Sequence, residues 1–427
     1  MPDKPSKAAE PVQPGERIDE LDILRGFAIF GILLVNMMFF AHPIYREVLD
    51  LPWQHPLDRL ADALITFFAQ GKFFTLFSLL FGIGLTIQMK RADAKGATVV
   101  PLFVRRMLIL LAIGAAHTVL FWFGDILLYY SILGLALLLF RHLEPRRLLK
   151  WAVALLAVPM VVNSALVGLF ELGRAVPNGA AQIEVVIGEA EAEYLAQYQQ
   201  ALETYAAGTF AEMTAQRLQD FGFEVIGLTL NGMLFIVLAM FLLGLYAGKR
   251  GLVDDIGGNL SLYRRVFRWS LAVGVAANLA FVLFGLEASP VVPSGALLLS
   301  VIGFVIGAPA LCLAYASGIM LLARQRAWRA RLMVFAPVGR AALSNYLFQT
   351  LVCTTIFYSY GLGLYGQVGP AAGILLTLAI FGVQVLLSSW WLGRFRYGPV
   401  EWLWRSLTYG RAQPMATSEH RQAGTGG

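Results

Sequence analysis

His117 and Asp125 flank a tight turn in "GAAHTVLFWFGDILLYY". An antiparallel return at that turn brings a carboxylate within hydrogen-bond reach of an imidazole. Such a partner fixes the tautomer at one ring nitrogen and raises the basicity of the other. A general base needs that arrangement. Arg106 falls within about 20° of His117 around the same helix. One face would then run from an anion site to a base. The plainer alternative is a structural clasp that braces the hairpin.

A second group lies in "RIDELDILRGFAIFGILLVNMM", residues 17 to 38. At about 100° per residue, Asp22, Arg25 and Asn36 fall within about 60° of one another. Asn36 lies about 16 Å beyond Arg25 along the helix axis. A fixed guanidinium at the mouth of a bundle suits a phosphate-bearing ligand. The alternative is an Asp–Arg pair at a helix end, with Asn36 bonding between helices.

Other polar positions are open to two readings. Lys72, in "QGKFFTLFSLLFGIG", either contacts a substrate or snorkels to the membrane surface. Gly82 and Gly84 are expected to let helices pack closely. "GRAALSNYLFQT" supplies Arg340, then Asn345 and Gln349 at i, i+4 on one face. These bind a ligand or hold helices together. The candidate set is His117 and Asp125 for catalysis, Arg25, Arg106 and Arg340 for an anionic cofactor, and Asp22, Asn36, Lys72 and Asn345 for substrate. His42 and His55 occupy an outer loop, and His142 and His420 read as ordinary surface residues. No HExxH, cysteine pair, Walker A loop or GxSxG is present, so no metal site, ATPase or serine hydrolase is expected.

The elements that must position these residues are membrane helices. Of 427 residues, 58% are hydrophobic and 14% charged, with a mean hydropathy of +0.66. A soluble domain is nearer a quarter charged. The apolar runs suit helices and are too long for barrel strands. Ten spans are expected, near 23–41, 72–89, 103–121, 125–141, 149–171, 224–248, 266–286, 296–322, 340–358 and 371–392. They form an all-α bundle over 21–398. Residues 1–20 and 412–427 read as disordered, and 399–411 as an interfacial amphipathic helix. "PLDRLADALITFFAQG" reads as an amphipathic lead-in to the second span, or as part of a long tilted helix.

With both termini cytoplasmic, 28 of the 33 Lys and Arg fall on the cytoplasmic side, as the positive-inside rule requires. The net charge of +6 therefore marks topology, not nucleic-acid binding. The longest outer loop, 173–222, has seven acidic and two basic residues and helical spacing. Cys312 and Cys353 read as small core residues.

Five stretches, "LDILRGFAIFGILLVN", "KFFTLFSLLFGIGL", "HTVLFWFGDILLYY", "GRAALSNYLFQTLVCTTIFY" and "GPVEWLWRSLTYG", resemble the YeiB-like family of bacterial inner-membrane proteins, built around domain of unknown function 418. The first-helix D-x-L-R-G pattern is similar to that of the broader transmembrane acyltransferase superfamily. That superfamily includes the lysosomal heparan glucosaminide acetyltransferase. The resemblance implies acyl transfer from cytoplasmic acyl-coenzyme A to a hydroxyl or amine of a small-molecule, glycan or lipid acceptor on the far side, with a membrane-embedded histidine doing the proton work. No H-A-x-W-N-G segment follows the first helix. "HPLDRLAD" is a loose counterpart, so His55 competes with His117. A transporter of a small metabolite, using the same intramembrane residues, is the alternative. A non-catalytic membrane scaffold is a third reading. The oligomeric state stays open.

Overall fold

In the computed structural model, the described residues are 18–49, 51–230, 232–289 and 291–416. The segments expected to be disordered lie outside them, apart from residues 18–20 and 412–416. Seventeen α-helices follow in order: α1 (Asp19–Ala41), α2 (Tyr45–Leu49), α3 (Pro56–Phe68), α4 (Lys72–Ala94), α5 (Val100–Leu120), α6 (Ile126–Leu137), α7 (Pro145–Ala175), α8 (Gly179–Ala207), α9 (Phe210–Leu230), α10 (Met233–Lys249), α11 (Leu260–Gly285), α12 (Gly295–Leu322), α13 (Arg326–Leu332), α14 (Ala336–Arg340), α15 (Ala342–Phe357), α16 (Pro370–Arg394) and α17 (Pro399–Tyr409). No named strand occurs among the described residues; a single bridge joins Phe395 to Ala416.

Seven helices among the described residues are long and apolar enough to cross a membrane, or eight if α9 and α10, which meet at a 64° bend, form one broken span. This is a multi-pass membrane bundle. The expected spans at 125–141 and 340–358 are shorter helices, 12 residues in α6 and 16 in α15. The loop expected at 173–222 is helical: α8 and most of α9 fill it.

α1 is the axis of the bundle. Its first turn carries Asp19, Glu20 and Asp22, which complement the positive helix N-terminus. α4, α14, α15 and α16 pack around it. α4 crosses α10 through reciprocal glycines. A Cβ on Gly82 would lie 2.0 Å from the Phe241 carbonyl oxygen, and one on Gly244 would lie 2.1 Å from that of Leu79. Only glycine permits that approach. Gly84, expected to share this role, faces open space.

α3 and α4 are separate helices joined at Gly71, whose φ of +84° needs glycine. This break corrects the expectation for Lys72. Its ammonium does not snorkel: the residue is fully buried, and Nζ donates to the Thr66 carbonyl in the last turn of α3 at 2.9 Å. Helix C-termini present unpaired carbonyls and a partial negative charge, so a cation there is stabilising.

Buried amides hold α14, α15 and α16 together. Asn345 Nδ2 donates to the Val338 and Ala341 carbonyls and to Ser388, and Gln384 donates to Asn345 Oδ1. Gln349 donates to Gln384 and to the Ile29 carbonyl of α1. Between helices in an apolar medium, such amides act as glue. Asn345 therefore departs from its candidate role as a substrate contact, because its amide is spent on these partners. Cys312 and Cys353 are buried and free.

Candidate functional site

The polar residues gather at two places. The first surrounds the start of α1. Arg25 donates to Asp22 at 2.7 Å. Arg106, on α5, lies with its guanidinium 4.1 Å from the ring centre of Trp404, whose Nε1 donates to the Arg106 carbonyl at 2.9 Å. The positive charges of Arg405 and Arg25 act on Arg106. Arg340 is exposed at the end of α14. The preceding Gly339 abuts the Asp22 carbonyl, since a Cβ there would sit 1.9 Å from that oxygen. Four arginines thus border one end of α1.

α17 is fastened to this end by Glu401. Its carboxylate accepts from the Leu343 and Ser344 amides at 2.7 and 3.1 Å and from the Ser344 hydroxyl at 2.5 Å. It caps α15 from a different helix, a role that N-cap residues normally play from within. Burial raises the Glu401 carboxyl above its ordinary range, against the lowering effect of these bonds.

The second place is a cavity of about 320 Å³. It lies beyond the far half of α1 and is walled by the α3–α4 break, the α5–α6 turn, the α9–α10 bend and the α11–α12 hairpin. Its polar wall comprises Asn36, Glu47, Gln70, Asp125, Tyr129 and Glu224. None of its lining residues is lysine or arginine. Aromatic rings, among them Phe39, Phe73, Trp122 and Phe123, form much of the rest. Glu47 lies on α2, outside the spans. It is exposed at the rim of the cavity.

His117 and Asp125 do meet: Nδ1 lies 3.0 Å from Asp125 Oδ2. The other ring nitrogen, Nε2, lies 2.9 Å from the Thr350 hydroxyl. With the Nδ1 proton directed at Asp125, Thr350 is the donor to Nε2; this tautomer follows from the hydrogen-bond network. Asp125 Oδ1 also accepts from the Leu127 amide as the N-cap of α6. The imidazole is 3% exposed and does not line the cavity, whereas Asp125 does. The carboxylate faces the cavity, and the histidine stands behind it.

Asn36 reaches the cavity as its phase on α1 predicts. Asp22 and Lys72 are not among the lining residues. His55 is the N-cap of α3 and accepts from the Leu57 amide at 3.2 Å, also away from the lining. Sequence reasoning missed Glu47, Glu224, Tyr129, Trp122 and Arg405. Glu224 did carry a signal, an acid at the head of an apolar run in "FGFEVIGLTL". His42 was passed over as an outer-loop residue, yet it is 5% exposed and donates from Nε2 to the Val368 carbonyl at 2.9 Å.

Eleven residues separate Arg106 from His117 on α5, about 16 Å along its axis. An anionic ligand anchored among the arginines and an uncharged or cationic one in the cavity would bracket that distance.

Comparisons with known proteins divide the chain in two. Residues 17–178 match a family described as heparan-alpha-glucosaminide N-acetyltransferase, catalytic. Residues 247–411 match a family described as protein of unknown function DUF418. Uncharacterized protein YxaH of Bacillus subtilis (strain 168) is 38% identical over 95% of this chain and 98% of its own length. Uncharacterized protein YeiB of Escherichia coli (strain K12) is 31% identical over 95% of this chain and 100% of its own length. No solved structure matches.

Proposed function

We propose, from the premise that this chain belongs to the YeiB-like family of multi-pass membrane proteins, that it moves an acyl group from acyl-coenzyme A to an acceptor held in the cavity. The observation that carries the reading is that residues 17–178, the part similar to an acetyltransferase catalytic region, supply both Arg25 and Arg106 at one end and the His117–Asp125 pair at the other.

In this reading the spans number ten, with both termini on the cytoplasmic side of the bacterial inner membrane. The arginine end then faces the cytoplasm, where acyl-coenzyme A is found, and the cavity lies in the outer half. Arg25, Arg106 and Arg405, with Arg340 at the rim, would hold the cofactor phosphates through charge-assisted bonds. The pantetheine arm would follow α5 toward the cavity. There the acceptor nitrogen or oxygen attacks the thioester carbonyl. The new C–N or C–O bond forms, the C–S bond breaks, and the electron pair leaves with the coenzyme A sulfur.

The proton lost by the acceptor passes to Asp125 and ends on the thiol. Asp125 is thus the catalytic carboxylate, because it is the member of the pair on the cavity wall. His117 acts through it: its Nδ1–H bond fixes the carboxylate, and Thr350 fixes the ring. This assigns the histidine to positioning, in contrast to the general-base role its motif suggests.

The test is release of free coenzyme A thiol from acetyl-coenzyme A by the purified protein in proteoliposomes, with amine and sugar acceptors supplied. Acceptor-dependent release that is lost in Asp125→Asn supports the reading. Failure to bind acetyl-coenzyme A by calorimetry, with no release, overturns it. Flux of an unmodified solute across the same vesicles would favour transport instead.

A further inference from the structure

The cavity has two unlike halves, and the contrast points to a ligand class. This inference rests on the cavity being the acceptor site. At one side, Asp125 and Glu224 lie close enough for their charges to act on each other, Glu47 stands exposed at the rim, and no basic residue lines the wall. Acidic residues alone would mean little, but a buried donor on the same wall has no hydrogen-bond partner. It is Trp122 Nε1, in a residue 1% exposed. The Tyr129 hydroxyl has the Glu224 carboxylate beside it, so Trp122 Nε1–H is the donor on this wall with no protein group to meet. Buried donors and acceptors are nearly always satisfied in a folded protein. A donor left unsatisfied on the wall of a cavity marks a site completed by something else.

The opposite side is apolar. Phe281 of α11 and Leu297, Val301 and Phe304 of α12 line it. This wall is one helix thick at α11, which packs only on α12 and α3 among the larger helix contacts of the described residues. Leu279 and Leu283, on either side of Phe281, are 49% and 52% exposed on the outer surface. In a membrane that surface meets lipid chains. An apolar tail on a cavity ligand would therefore run toward the hydrocarbon, not toward water.

We infer that the acceptor is a cationic amphiphile: a primary amine on an apolar chain, with the ammonium among Glu47, Asp125 and Glu224 and the chain against Phe281, Val301 and Phe304. The carboxylates supply the charge, accept from the ammonium N–H groups and, before attack, take one of its protons and pass it to water, leaving the neutral amine; the rings of Trp122 and Phe39 add cation–π attraction. Trp122 Nε1–H provides a donor for an oxygen placed beside the amine. Head groups bearing phosphate or carboxylate are rejected, because a like charge meets Asp125 and Glu224, while the neighbouring cation, Lys72, is bonded to the Thr66 carbonyl behind the wall. The chain contributes by leaving water for an apolar wall.

The experiment uses the full protein in phosphatidylcholine nanodiscs, titrated by calorimetry with hexylamine, methylamine, hexan-1-ol and sodium hexanoate. Empty nanodiscs provide the partition baseline. Hexylamine is expected to bind above that baseline, methylamine at least tenfold more weakly, and the alcohol and carboxylate not at all. Glu47→Gln with Glu224→Gln should weaken hexylamine at least tenfold. Phe281→Ala should cut the preference for hexylamine over methylamine at least fivefold. Each variant is checked for retained acetyl-coenzyme A binding at the arginine end and for an unchanged unfolding midpoint. Where the double variant fails that check, Glu224→Gln alone is read.

Equal binding of hexan-1-ol and hexylamine, or no loss in the glutamine variants, overturns the inference. Hexylamine that binds but is never acylated leaves the ligand class standing and removes acyl transfer. Acylation of an uncharged acceptor with no hexylamine binding does the reverse.

Discussion

The two ends of this bundle treat charge in opposite ways. Around the start of α1, the charged groups have partners from the protein itself. Arg25 holds Asp22, Arg106 lies on Trp404, and Glu401 caps α15. Around the cavity, acids and aromatic polar groups meet no basic residue on the wall, and Trp122 Nε1 lacks any partner. Elsewhere in the bundle, buried ions finish helix ends. Lys72 caps α3, Arg217 donates to the carbonyls of Leu120 and Phe121 at the end of α5, and Asp58 accepts from the Ala371 amide at the start of α16. The contrast teaches that an ionisable residue at membrane depth is not in itself a functional mark. The mark is an ionisable residue on the wall of a cavity.

The largest effect should come from the cavity. Asp125→Asn should lower coenzyme A release by about 100-fold or more, the range for loss of a general base, while acetyl-coenzyme A still binds. A variant retaining wild-type turnover would place the chemistry elsewhere. At the other end, Arg106→Ala should weaken acetyl-coenzyme A by about 10- to 100-fold, the worth of one charge-assisted bond. Turnover at saturation should hold. If maximal turnover falls and affinity does not, the division between anchoring and chemistry is wrong.

His42 tests the groups with protein partners by pH. Burial holds its pKa down to about 4, with the Arg46 charge lowering it further and the bond to Val368 and the Asp58 charge opposing. The unfolded chain binds the proton from about pH 6.5 downward, and the folded protein only near pH 4. Stability from this group is therefore full above pH 6.5 and is lost as pH falls toward 4. About 2 kcal/mol should disappear between pH 6.5 and 5, measured as the midpoint of denaturant unfolding in detergent. His42→Asn should flatten that slope, and a slope unchanged in the variant would mean His42 is not held neutral. The smallest effect is expected at Lys72. Lys72→Met removes a cap and should cost about 1 kcal/mol, with coenzyme A release within twofold of wild type. A large loss of turnover there would restore Lys72 as a substrate contact.

How much of this was legible in the sequence depended on distance along the chain. His117 and Asp125 are joined by a short turn, so their contact follows from the antiparallel return. Asn36 was placed by helical phase alone. Asn345 and Gln349 could be seen to share a face, but what that face met, Ser388 and Gln384 on α16, could not. The interruption at Gly71 decided the fate of Lys72: its ammonium reaches back to the Thr66 carbonyl in the last turn of α3. Glu47, Trp122, Tyr129 and Glu224 come from separate elements, and no periodicity links an acid on a five-residue helix to one at the bend of a broken span. Arg405 was read as an anchor because its segment is amphipathic. Its place beside Arg106 depends on how α17 docks.

The bond from Glu401 to the start of α15 has a consequence for how the protein is made. α1 through α6 emerge from the ribosome early and carry the whole His117–Asp125 hairpin. The partner that seats Arg106, Trp404, and the carboxylate that caps the start of α15 both come from α17, far behind that hairpin along the chain. A nascent or truncated chain ending before residue 399 would have its carboxylate cavity elements in place with no finished anchor for an anion. Such a chain should keep the hairpin contact while losing the seat of Arg106.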